Sequence, residues 1–166
     1  MGVSLPPIRF LEICHNFFIN ISDNHMLRIL FVDDDPDETY LFNEALEHCT
    51  LPISLSQVHN GIGLINELAT GKLPDLILMD INMPYKNGIE ALKDIKSNCL
   101  FKKVFVIMYS ITADKALIKK AYDKGADLYL VKPDDFEGML SVVKKLYSIN
   151  WAQFERPARE HFLLQI

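Results

Sequence analysis

Four places along the chain carry side chains that could do chemistry together. Asp33-Asp34-Asp35 sets three carboxylates in a row, Asp80 follows an apolar run, Ser110 offers a hydroxyl, and Lys132 offers an ammonium just before Pro133. Clustered carboxylates repel one another unless a cation neutralises them. Hard oxygen donors that leave several waters on the ion suit magnesium. Each residue alone has an ordinary explanation: the acidic trio as a helix's first turn, Asp80 as a loop residue, Lys132 as a surface lysine. Ser110 alone says nothing. Their weight comes from where the surrounding elements place them.

From Met26 onward the chain alternates strand and helix patterns. Leu76 to Met79 and Val104 to Met108 are continuous apolar runs, which suit strands buried on both faces of a parallel sheet. Leu27 to Val32 and Leu128 to Val131 are similar, and Ile53 to Val58 alternates as a strand nearer an edge does. Pro36 opens a helix at its first-turn position, with Asp37 and Glu38 favourable to the helix dipole. A second helix, around Leu64 and Leu68, ends near Gly71, and Ile89, Leu92 and Ile95 mark a third. The fourth is predicted to start after Thr112 as N-cap and to close at Gly125, and the stripe Phe136, Met139, Leu140, Val143, Leu146 marks the fifth. Five strands alternating with five helices imply an α/β fold with a doubly wound parallel sheet and right-handed crossovers. Chemistry in such sheets gathers beyond the carboxyl ends of the strands. Asp33, Asp80, Ser110 and Lys132 each stand at one of those ends.

With that placement, a family likeness emerges. Ile29 to Asp37, the segment Pro74-Asp75-Leu76-Ile77-Leu78-Met79-Asp80-Ile81-Asn82-Met83-Pro84 with Gly88 after it, and Gly125-Ala126-Asp127 followed by Tyr129-Leu130-Val131-Lys132-Pro133 resemble the motifs of response-regulator receiver domains. Ser110 and Lys132 lie 30 and 52 residues beyond Asp80, as in that family. The likeness covers about residues 26–149. It implies a flavodoxin-like, CheY-like sheet in the order 2-1-3-4-5. It also implies a signalling role, not that of an enzyme: a receiver that promotes its own phosphorylation and dephosphorylation in a phosphorelay. Asp80 is then the phosphoacceptor. Asp34 and Asp80 are direct ligands of Mg2+ (or Mn2+), with the backbone carbonyl of Asn82 and with Asp33 in support. Ser110 and Lys132 contact the phosphoryl oxygens, and Tyr129 turns inward when Ser110 is drawn to them. The implied partners are a histidine kinase or histidine phosphotransfer protein and an unknown downstream protein that meets the fourth helix, fifth strand and fifth helix. The implied state is a monomer or a phosphorylation-dependent dimer. The electrostatics agree, because attack by a carboxylate on a phosphoryl group gathers negative charge that a metal ion and a lysine offset.

Two departures stand beside the site: Ile111 where a small residue is usual, able to restrict access to Asp80, and Tyr109 where an aliphatic is usual. Other readings remain open. A haloacid-dehalogenase-type hydrolase also uses a strand-end Asp with magnesium, but needs a second Asp where Asn82 stands. Flavodoxin-like cofactor binding conflicts with the acidic first loop, which repels a flavin phosphate. Gly61-Ile62-Gly63 lacks the third glycine of a dinucleotide loop. A degenerate receiver acting only as a scaffold is the fourth.

Composition sets the outer bounds. The 166 residues fit one domain, with 49% hydrophobic and 23% charged residues, ordinary for a globular protein. A net charge of −5 without a Lys/Arg run predicts no direct nucleic-acid binding. No apolar run reaches membrane-span length and no signal-peptide pattern opens the chain, so a cytoplasmic protein is expected. Cys14, Cys49 and Cys99 form no C-x-x-C pair and are expected to be reduced, mostly buried thiols. Residues 1–25 are expected to be a disordered extension outside the domain, and 26–149 the receiver. Residues 150–166, with Trp151, Phe154 and Phe162, are expected to be a short helical or flexible tail, too short for an output domain.

Overall fold

A computed structural model of the chain describes residues 26–166. The expectations for residues 1–25 and for Cys14 lie outside that range. The apolar runs form strands β1 (Leu27–Val32), β2 (Ile53–Val58), β3 (Leu76–Asp80), β4 (Phe105–Ser110) and β5 (Leu128–Val131). Between and after them lie helices α1 (Pro36–Cys49), α2 (Gly61–Ala69), α3 (Gly88–Ser97), α4 (Lys115–Asp123) and α5 (Phe136–Ser148). All strand pairs are parallel, in the order β2-β1-β3-β4-β5. The sheet is the doubly wound one that the alternation of elements implies.

Strand periodicity splits the core in two. Leu30, Val32, Ile77, Met79, Val106 and Met108 pack against α2, α3 and α4 through Leu64, Leu68, Leu92 and Ala121. Their alternates Ile29, Phe31, Leu76, Leu78, Ile107 and Leu130 pack against α1 and α5 through Phe42, Ala45, Met139 and Val143. Phe31 and Phe42 stack with ring centroids 4.9 Å apart. Each fully buried aliphatic or aromatic side chain contributes about 1.5–3 kcal/mol from burial alone, so the two layers dominate the stability of the sheet.

The register brings the chemistry to one end. Asp80 pairs with Tyr109 across β3 and β4, and Ser110 pairs with Val131 across β4 and β5. β4 ends at Ser110, the strand end that the sequence implied, because Tyr109 and Ser110 have neighbouring strands to pair with. The start of α4 also differs from the prediction. Its N-cap is Asp114, whose side chain accepts from the Leu117 amide at 2.8 Å, while the Thr112 hydroxyl accepts from the Asp114 amide at 3.2 Å. Thr112 shapes the loop that leads into the helix instead of capping it. Gly125 closes α4 at φ 94°, in the left-handed region that glycine enters without strain.

Two further expectations need correction. Cys49 is only partly buried and Cys99 is exposed, so neither of these thiols is a core residue. Residues 150–166 are neither a helical extension nor a free tail. They form short 3-10 turns at Trp151–Gln153 and Arg159–His161, and they bury Phe162 completely. Aromatic side chains supply the reason: Trp151 and Phe154 meet Phe105 at centroid distances of 5.2 and 5.4 Å. A free tail would leave those rings in water.

Candidate functional site

Asp33 follows β1 and keeps its pairing, donating its amide to the Val58 carbonyl at 3.2 Å. That turns its side chain inward, where it is 1% exposed. One carboxylate oxygen accepts from the Asp35 amide at 3.0 Å, and the other accepts from Lys132 Nζ at 2.8 Å. Asp35 turns the other way and caps α1 by accepting from the Asp37 amide at 2.9 Å. Asp34 lies between them, exposed at the rim. The acidic trio thus divides its work among a buried partner, a solvent-facing carboxylate and a helix cap.

Asp80 ends β3 and is 5% exposed. Its Oδ2 accepts from the Asn82 amide at 2.6 Å and its Oδ1 lies 3.1 Å from Lys132 Nζ. α3 begins against the backbone of Asp80. A Cβ on Gly88 would stand 2.2 Å from the Asp80 carbonyl oxygen, so only glycine permits that approach. Lys132 reaches the pair from just beyond β5, where its amide donates to the Ser110 carbonyl at 2.8 Å. Its ammonium therefore bridges two buried carboxylates. Burial pushes the Asp80 carboxyl above its ordinary range, against the pull of Lys132. For Lys132, burial acts downward, but the Asp33 hydrogen bond and the charges of Asp80 and Asp33 together hold its pKa above the ordinary lysine value. The lysine stays charged and its neighbours stay compensated.

Ser110 is fully buried, with its Oγ 3.5 Å from the Thr112 amide, a long and easily exchanged contact. Tyr129 is also fully buried and donates its hydroxyl to the Thr112 carbonyl at 2.7 Å, so its ring already lies inward, where the resemblance implied a turn inward with Ser110. The Ser110 loop and the Tyr129 ring thus share one short peptide segment. Among the described residues no three His, Cys, Asp or Glu side chains stand together ready to hold a metal. Asp33, Asp80 and Lys132 are gathered, while Asp34 and Asn82 remain exposed beside them. The available donors are all oxygens, which fits a hard divalent cation.

Sequence reasoning named Tyr109 beside the site but missed its contacts with Lys132 and Glu38. The Tyr109 ring lies under the ammonium, with Nζ 5.1 Å from its centroid, and its hydroxyl donates to Glu38 on α1 at 3.4 Å. Burial raises the Tyr109 phenol far above its usual range and raises the Glu38 carboxyl as well. Glu38 was legible as a helix-dipole residue, and its position three after Asp35 was the available sign that it could face the acidic loop. Lys96 and Asp127, 2.7 Å apart, likewise tie α3 to β4, since Asp127 also accepts from the Val106 amide at 2.8 Å. Ile111 is 74% exposed, so it stands at the rim in solvent. A cleft of about 780 Å3 opens at the opposite end of the sheet, among Leu27, Phe105 and Trp151, away from these groups.

Comparison with known proteins bears on this arrangement. The model of the response regulator receiver domain matches residues 29–144. Protein PilH of Pseudomonas aeruginosa is 35% identical over 120 residues, spanning 71% of this chain and 95% of its own. Response regulator Rcp1 of Synechocystis is 26% identical over 72% of this chain and 86% of its own, and its Mn2+-bound crystal structure superposes with a TM-score of 0.67, covering 79% of this chain and 99% of that one. The phosphorylated cyanobacterial phytochrome response regulator RcpA superposes with a TM-score of 0.70 at 28% identity, covering 81% of this chain and all of that one. Some other curated relatives are longer, and the match spans about half of their length. The chain belongs to the response regulator receiver domain family, and its place is in phosphorelay signalling. No helix of the described residues is long and apolar enough to cross a membrane.

Proposed function

We propose that Asp80 accepts a phosphoryl group from a histidine kinase or histidine phosphotransfer protein and that the acyl phosphate switches a partner-binding face. The observation that carries this reading is the single ammonium of Lys132 held between the buried carboxylates of Asp33 and Asp80. An Asp80 carboxylate oxygen attacks the phosphorus, a new O–P bond forms, and the bond to the donor's imidazole nitrogen breaks, with its electron pair leaving on that nitrogen. Lys132 keeps the nucleophile ionised despite its burial and then pairs with a phosphoryl oxygen, as a point charge suits. Ser110 turns its hydroxyl from the Thr112 amide to another phosphoryl oxygen, exchanging a 3.5 Å contact for a charge-assisted one. The Ile111–Thr112 segment moves with it, which alters the acceptor of the Tyr129 hydroxyl.

Asp34, Asp80 and the Asn82 carbonyl, with Asp33 in support, would hold Mg2+, which would supply positive charge against the incoming phosphoryl oxygens. The Mn2+-bound state of Rcp1 and the phosphorylated state of RcpA support both parts of this reading. The exposed position of Ile111 favours it over a pure scaffold. Incubation with acetyl phosphate and magnesium tests the proposal by intact mass. It predicts one added phosphoryl group, lost on chelation and in Asp80→Asn. No adduct under conditions that label another receiver would contradict it.

A further inference from the structure

Residues 154–164 run from the amino end of the sheet to its β5 edge. Arg156 fastens the middle of this strap: its guanidinium lies over the Tyr122 ring, 3.9 Å from the centroid, and its Nε donates to the Ala126 carbonyl at 2.6 Å. Beyond it, Phe162 is fully buried against Tyr122 at 5.1 Å and Tyr129 at 6.3 Å between ring centroids. Leu163 then forms a parallel bridge with Tyr129. The Tyr129 amide donates to the Phe162 carbonyl at 3.0 Å, and the Leu164 amide donates to the Tyr129 carbonyl at 2.8 Å. The strap therefore holds one residue of β5 by both its amide and its carbonyl, and that residue is Tyr129.

We infer that the outer edge of β5, with the Phe162 socket beside it, is a strand-addition surface occupied by the chain's own residues 156–164, and that this occupant latches Tyr129 in its buried position. An edge strand offers unpaired amides and carbonyls to any extended segment, and residues 162–164 take them here. Phe162 stands beside the Tyr129 ring, so a seated strap opposes an outward swing of that ring. Seating the strap and burying Tyr129 therefore stabilise each other, as linkage requires of two events that favour one conformation. A partner that uses this edge must bring an extended segment with an aromatic side chain in place of Phe162, and must displace the strap. The latch goes beyond the phosphoacceptor reading and is tested without it.

The experiment measures amide exchange at Tyr129 and Leu164 in the full chain, together with the 19F resonance of 3-fluorotyrosine at position 129, assigned with Tyr129→Phe. Arg156→Ala removes an exposed fastener, and Phe162→Ala empties the socket. Each variant is expected to speed exchange at both amides by roughly tenfold or more, the mark of a local opening. The Tyr129 resonance is expected to move toward its solvent-exposed value while Ile77 and Leu78 stay protected. Faster exchange with an unmoved Tyr129 resonance overturns the latch. Unchanged exchange in Arg156→Ala overturns it too, and that variant decides the matter if Phe162→Ala loosens the whole core.

Discussion

Lys132 is the residue on which the site turns. Removing its charge in Lys132→Met leaves Asp33 and Asp80 buried side by side without compensation, which costs about 3 kcal/mol in urea unfolding at neutral pH. Because its pKa is raised in the fold above the ordinary 10.5, this stabilisation is present below that value and fades as pH climbs through the folded pKa. Asp80 behaves oppositely. Its folded pKa is raised above 3.8, so the ionised carboxylate costs stability above the folded pKa, and the cost fades as pH falls toward 3.8. Asp80→Asn should therefore unfold at a higher temperature than wild type at pH 7, with the gap closing under acid. A lower melting temperature would show that Lys132 needs both carboxylates. Asp80, Ser110 and Lys132 were legible because each ends a readable strand. Tyr109 was legible as a residue beside the site, but its contact with Glu38 was not, since it joins α1 to β4 across 71 residues.

The elements aim these side chains, and their failures should be graded. Leu78 lies on the α1/α5 face of β3 with no exposure, so Leu78→Ala should cost roughly 2–5 kcal/mol, read by urea unfolding. Gly88→Ala is a sharper test of the link between α3 and the site. Its Cβ must push on the Asp80 carbonyl, a strain costing about 1–3 kcal/mol that should also slow phosphoryl labelling. Loss of stability with an unaltered labelling rate would show that α3 supports β3 without orienting Asp80. Strand and helix types were readable from period alone. The start of α4 was not, because Thr112 and Asp114 are both good caps and the choice between them falls to the loop that also serves Tyr129.

Across the whole molecule, the parallel order β2-β1-β3-β4-β5 puts Asp33, Asp80, Ser110 and Lys132 at one end of the sheet and leaves β5 as the edge beside them. The alternation of elements implied such a sheet, and the resemblance supplied its order. The strap was hidden, since Trp151, Phe154 and Phe162 have neither helical nor strand period and gain meaning only against β4 and β5. The central claim is that Asp80, among several neighbouring carboxylates, carries the phosphoryl group. Borohydride reduction after labelling converts an aspartyl phosphate to homoserine, which peptide sequencing by mass then locates. Homoserine at position 80 and at none of Asp33, Asp34 and Asp35 is the predicted result; homoserine in that acidic trio with Asp80 intact would contradict it.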